Sequence, residues 1–226
     1  MLKLLKQDKL LFLLASLVLM MLFGPFFDRG LFGDIILNFF FTIILITGLY
    51  AVSQDKGHLI GGAVLGIPTL IASWIILFLQ VPFWSAAIFL AWIIFDIIVA
   101  HDILKHIMEH PKVTKSTIYG AVSVYLLIGI IFGASYIFLE RIHPGSFFAA
   151  PQINPDEYFS LSELFYFSFV TLATLGYGDI VPLSKFARSL ASLEAITGTL
   201  FIAVLIGTLI GSYVGKKNGK KAPEKS

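Results

Sequence analysis

The residues of this sequence with the most pointed chemistry are Thr174-Leu175-Gly176-Tyr177-Gly178-Asp179. Only glycine visits positive φ freely, and here glycines alternate with residues that carry side chains. A strand built this way can turn successive carbonyl oxygens toward one side instead of alternating them. Oxygens gathered so suit a cation stripped of its water, and in a membrane they are costly unless they line a cavity. A second constellation is His106-Ile107-Met108-Glu109-His110, with Asp102 one helical turn earlier. Its two imidazoles stand one turn apart and fit the H-x-x-E-H metalloprotease pattern. The same groups suit a proton or divalent-metal sensor, because histidine titrates near neutrality, or a plain solvated helix face. An enzyme would need a third ligand and a cleft, and Pro111 ends the helix at once.

Both constellations sit in a chain too apolar for a soluble domain. Of 226 residues, 58% are hydrophobic and 13% charged, and the mean hydropathy is +0.90. Apolar runs long enough to cross hydrocarbon recur at 10–27, 35–52, 59–79, 83–100, 118–138 and 184–214. An all-α membrane protein with six transmembrane helices follows. The last run exceeds the roughly 20 residues a span needs, so it should tilt or project. The first run follows lysines, as a signal peptide would, but no small-x-small cleavage site comes after it, and it reads as a retained helix. The absence of cysteine removes disulfide and thiolate chemistry. A net charge of +2 makes no case for nucleic acid.

The basic residues orient the spans. Lys3, Lys6, Lys9, Lys56, Lys105, Lys112, Lys115, Lys216, Lys217, Lys220, Lys221 and Lys225 fall on one side, against Arg29, Arg141, Lys185 and Arg188 on the other. The expectation is a multi-pass protein of the plasma membrane with both termini cytoplasmic. Lysines of the tail near the membrane favour anionic headgroups by about 1 kcal/mol each.

Between the fifth and sixth spans, 161–173 is apolar or small throughout, and Ser160 with Glu163 forms a capping box at its start. At 1.5 Å per residue this helix is roughly 20 Å long, too short to cross. It should enter from outside, stop near mid-membrane and return as the glycine-bearing strand. Its negative dipole end would aim at the membrane centre and favour a cation there.

The nonapeptide Thr171–Asp179, "TLATLGYGD", resembles the signature of the potassium channel superfamily. The fifth span, short helix, strand and sixth span, 118–214, resemble the pore module of that family. The resemblance implies a homotetramer in which carbonyls of Thr174, Leu175, Gly176 and Tyr177, with the Thr174 hydroxyl, replace the water around K⁺, and Gly178 completes the filter. K⁺ is then the permeant ion, no cofactor is needed, and no enzyme activity is expected. Leu175 stands where Val or Ile is usual. Val170 stands where some members carry an acidic residue that pairs with the aspartate matching Asp179. Asp179 is therefore expected against Tyr166 or Phe167 of a neighbouring short helix. Gly198 aligns with the family's hinge glycine, and close helix packing is an equal reading. Gly207 and Gly211 read as packing residues. Glu194, an intramembrane carboxylate, invites a functional reading, or it bonds the back of the filter or the short helix.

This divides the chain into a four-helix domain (1–103), a cytoplasmic linker (104–117), the pore module (118–214) and a basic tail (215–226). The tail is too short for a ligand-binding domain. The fourth span carries no arginine, so steep voltage dependence is not expected. Asp96 in that span has no cationic partner in register, and faces either water or a neighbouring helix. Two alternatives stand beside the selective channel. One is a weakly selective cation channel; the other is a membrane metalloenzyme built on His106 and His110.

Overall fold

The computed structural model describes residues 9–27, 30–52, 56–79, 82–109, 114–151, 154 and 159–219. Helix α1, Lys9–Phe23, runs into a 3₁₀ turn at Gly24–Phe27. There Gly24-Pro25 ends the α-helix, because proline has no N–H to continue the ladder. Helices α2 (Gly30–Val52), α3 (Lys56–Leu79), α4 (Pro82–Glu109) and α5 (Lys115–Ile142) follow. Then come strand β1 (Phe147–Ala149), short helix α6 (Leu161–Leu172), strand β2 (Ile180–Pro182) and α7 (Lys185–Gly219). Six of these helices are long and apolar enough to cross a membrane, and α6 is the short apolar one. The chain is an all-α membrane protein.

Two features add detail to the sequence reading. One is that helix enters 104–117 from both ends: α4 extends to Glu109 and α5 begins at Lys115, capped by the Thr114 hydroxyl, which accepts from the Thr117 amide at 3.2 Å. The polar residues of 104–109 and 115–117 simply continue the helices beyond the apolar run. The other is the small antiparallel ladder of β1 and β2, which pairs Phe147 with Pro182, Phe148 with Val181 and Ala149 with Ile180.

In the N-terminal half, α1 packs on α2 and α5, while α4 packs on α2, α3 and α5. Small residues set the approach. A methyl on Gly66 would press on the Phe95 ring at 3.2 Å, and one on Gly120 would meet Leu10 at 3.0 Å and Ile103 at 3.2 Å. Polar residues facing the interior find partners across helices. Ser16 and Thr47 share a hydrogen bond of 3.0 Å, Ser73 donates to Asn38 at 2.9 Å, and the Trp74 indole donates to Thr42 at 3.0 Å. Asp96 is buried in this half, and its Oδ1 has no hydrogen-bond partner among the described residues.

Helix α6 lies against α5 and α7. Gly129 and Gly133, one turn apart on α5, take the rings of Phe169 and Phe165, one turn apart on α6; a Cβ at either glycine would collide with the ring it faces. The four-residue spacing on both helices gives a ridge of rings in a glycine groove.

Candidate functional site

Short helix α6 starts as its sequence dictates. The Ser160 hydroxyl accepts from the Glu163 amide at 3.3 Å, and the Glu163 carboxylate accepts from the Ser160 amide at 2.8 Å. Its other end fixes the glycine-bearing stretch. The Leu175 amide donates to the Val170 carbonyl and the Thr174 amide to the Thr171 carbonyl, both at 2.9 Å. This pair of bonds is a Schellman closure, which requires a left-handed residue at the position held here by Thr174. Thr174 has φ of +57°, the one non-glycine residue with positive φ among those described. Val170 thus contributes to this site through its backbone oxygen.

From there the backbone alternates. Thr174, Gly176 and Gly178 have φ of +57°, +57° and +78°, whereas Leu175 and Tyr177 between them do not enter that region. Alternating left- and right-handed residues bring successive carbonyls to the same side. Among the described residues no backbone hydrogen bond ends on the carbonyls of 174–178, and no strand pairs with them. The Leu175 and Tyr177 side chains are exposed. Residues 174–178 are exposed in the single chain, so these carbonyls are free to accept, directly after a helix C-terminus whose dipole favours positive charge.

Beyond the row, Asp179 is held by its own chain. Tyr166 donates to Asp179 Oδ2 at 2.6 Å, and Oδ1 accepts from the Ile180 amide at 3.0 Å. Of the two residues expected against Asp179, Tyr166 makes the contact, and it does so from the chain's own α6. Residues 166 and 179 already meet within one chain, because the stretch doubles straight back along α6. Phe167 points elsewhere, into a cluster with Tyr136 (ring centroids 5.1 Å) and Phe147 (5.4 Å). Hydrogen bonding to Asp179, more than burial, pushes the Tyr166 phenol up to about 12. It remains a donor at any physiological pH. The ladder fastens the exit, and the Ser146 carbonyl accepts from Leu183 at 2.8 Å and Ser184 at 3.2 Å.

Behind α6, Glu194 on α7 is fully buried. Tyr136 of α5 contacts its Oε2 at 2.5 Å, Ser168 of α6 makes a short contact with its Oε1, and Ser168 Oγ also lies 2.7 Å from the Gly129 carbonyl. Of the two places weighed for Glu194, it takes the short helix. One turn along α7, Gly198 touches the end of α6, and a Cβ there would collide with the Leu172 carbonyl oxygen. Helix α7 runs through Gly198 without a break. Two contacts, 194 with 168 and 198 with 172, thus repeat at four-residue spacing on both helices. Sequence reasoning missed Ser168 and Tyr136. No local signal marks them, since they lie 26 and 58 residues from Glu194.

The second constellation is only partly in view. Asp102 and His106 lie on the last turns of α4, and Asp102 Oδ1 sits 3.3 Å from His101 Nδ1. His110 and residues 220–226 of the basic tail lie outside the described residues. Among those described, no group of three or more His, Cys, Asp or Glu could hold a metal ion.

Residues 121–214 match a family model described as "Ion channel". The match begins in α5 and ends in α7, so it contains α6, the alternating stretch and the ladder, and spans less than half of the chain. The match makes this segment similar to ion channels, in keeping with its resemblance to the pore module of the potassium channel superfamily. No curated protein and no solved structure matches the chain.

Proposed function

We propose that the protein is a passive, potassium-selective channel. Four copies surround one axis, with Thr174, Leu175, Gly176 and Tyr177 facing it through their carbonyls. The observation that carries this reading is the alternation of backbone hand at Thr174, Gly176 and Gly178, which leaves those carbonyls bare directly after the C-terminus of α6. Rings of such oxygens replace the hydration shell of K⁺, and several adjacent rings let ions move on by mutual repulsion. One chain supplies one strand, so closed cyclic symmetry is needed to complete each ring. The exposed apolar residues Leu193, Ile196 and Leu200 on α7 offer surface for those neighbours.

In this reading α6 is the re-entrant pore helix, α5 the outer helix and α7 the lining of the inner vestibule. Tyr177 and Asp179, braced by Tyr166, shape the outer mouth. Both termini lie in the cytoplasm, as the distribution of lysines requires, and the basic tail meets anionic lipid. K⁺ is cargo; no cofactor and no catalytic step enters.

Bi-ionic reversal potentials in planar bilayers, with K⁺ on one side and Na⁺ on the other, test it. A strongly K⁺-favouring potential is expected, and a potential near zero would leave the weakly selective channel. Native mass of the detergent-solubilised protein should equal four chains.

A further inference from the structure

We infer that Glu194 is a neutral carboxylic acid, and that its proton closes a hydrogen-bond chain joining α5, α6 and α7 behind the short helix. The argument is a count of protons. Three oxygen–oxygen contacts run in series: Gly129 carbonyl to Ser168 Oγ, Ser168 Oγ to Glu194 Oε1, and Glu194 Oε2 to Tyr136 Oη. Each needs one hydrogen. The Gly129 carbonyl has none, and the Ser168 and Tyr136 hydroxyls bring one apiece. The third hydrogen must come from the Glu194 carboxyl. Ser168 then donates to Gly129, Glu194 donates to Ser168, and Tyr136 donates to Glu194.

The surroundings agree. Glu194 is fully buried, and among the described residues no Lys, Arg or His forms an ion pair with it. An unpaired charge in such a site is strongly disfavoured. Several other ionisable groups of the packed elements have partners elsewhere. On α5, Glu140 accepts from the Gly145 and Ser146 amides, and Tyr125, which lies within electrostatic reach of Glu194, contacts the Leu172 carbonyl at 3.4 Å. On α6, Glu163 caps its own helix and Tyr166 holds Asp179. On α7, Arg188 donates to the Pro182 carbonyl. Ser168 and Tyr136 are therefore positioning residues for the stretch that α6 carries, and the proton on Glu194 is the part they share.

Difference infrared spectra of the full-length protein in lipid at neutral pH test the inference. The wild type should show the C=O band of a protonated acid that Glu194→Gln loses. Ser168→Ala, which removes the acceptor of the acid proton, should shift that band toward a freer acid. Glutamine can donate to Ser168 and accept from Tyr136, so Glu194→Gln should unfold at the wild-type temperature while Glu194→Leu unfolds lower. No such band, a band unmoved in Ser168→Ala, or a glutamine variant as damaged as the leucine one would each overturn it. None of these readouts needs ion flux. A band without K⁺ flux would keep the proton and sink the channel reading; flux without the band would do the reverse.

Discussion

A hydroxyl and a carboxylate fix where the glycine-bearing stretch leaves α6. Tyr166 donates to Asp179 at 2.6 Å, across a turn that contains the whole alternating segment. Tyr166→Phe keeps the ring and deletes that bond. A partly exposed hydrogen bond to a charged group contributes at most about 1 kcal/mol once solvent screening is allowed for. The folded-state pKa of the phenol is raised, to about 12, from about 10 in an unfolded chain. The contribution is thus complete below pH ~10 and disappears as pH rises through about 12. Thermal unfolding of wild type and Tyr166→Phe in detergent should differ at neutral pH and converge toward that limit. A gap that persists above it would show that the ring packing, not the hydroxyl, differs between the two. Residue-level reading of the sequence found Tyr166, because an aspartate without an acidic neighbour at position 170 needs another partner. It set that partner on a neighbouring short helix, since the doubling back of 174–179 along α6 is a backbone property with no residue pattern of its own.

At the scale of elements, the outcome turns on how α6 is gripped from two sides. Gly129 and Gly133 on α5 admit Phe169 and Phe165, while Gly198 on α7 admits the Leu172 carbonyl at the end of α6. Gly198→Ala would drive a methyl into a backbone oxygen, which cannot rotate away as a ring can. Overpacking of this kind costs about 1–3 kcal/mol. A lower unfolding temperature with the K⁺/Na⁺ ratio altered is expected. A variant that unfolds like wild type and changes only the open time would instead mark Gly198 as a hinge. The spans and α6 were legible because hydrophobic length and a capping box are local signals. The β1–β2 ladder was not, since three-residue strands are too short for alternation to register. Nor were Ser168 and Tyr136, each an ordinary residue on an apolar helix until α7 brings a carboxyl to them.

For the molecule as a whole, the N-terminal helices carry little charge that a field could pull. Within described α4 the single lysine, Lys105, lies near its end beside Glu109 at 4.0 Å. Each elementary charge crossing the membrane would couple about 2.3 kcal/mol per 100 mV, so a helix without such charges leaves conduction nearly independent of potential. Currents in planar bilayers should scale almost linearly over about ±100 mV in symmetric K⁺. Steep activation would mean that charge moves in some part other than α4. The four-helix half instead meets the rest of the chain through direct contact, α4 and α1 lying along α5.

The connection between α4 and α5 spans only 110–114. Even fully extended, so few residues reach about 20 Å, and the two helices they join already lie side by side in one chain. Each copy in the proposed assembly therefore keeps its peripheral helices to itself, with none lent to a neighbour. A mixed ring containing one altered copy would feel the alteration as one quarter of the whole, delivered to a single strand of the four.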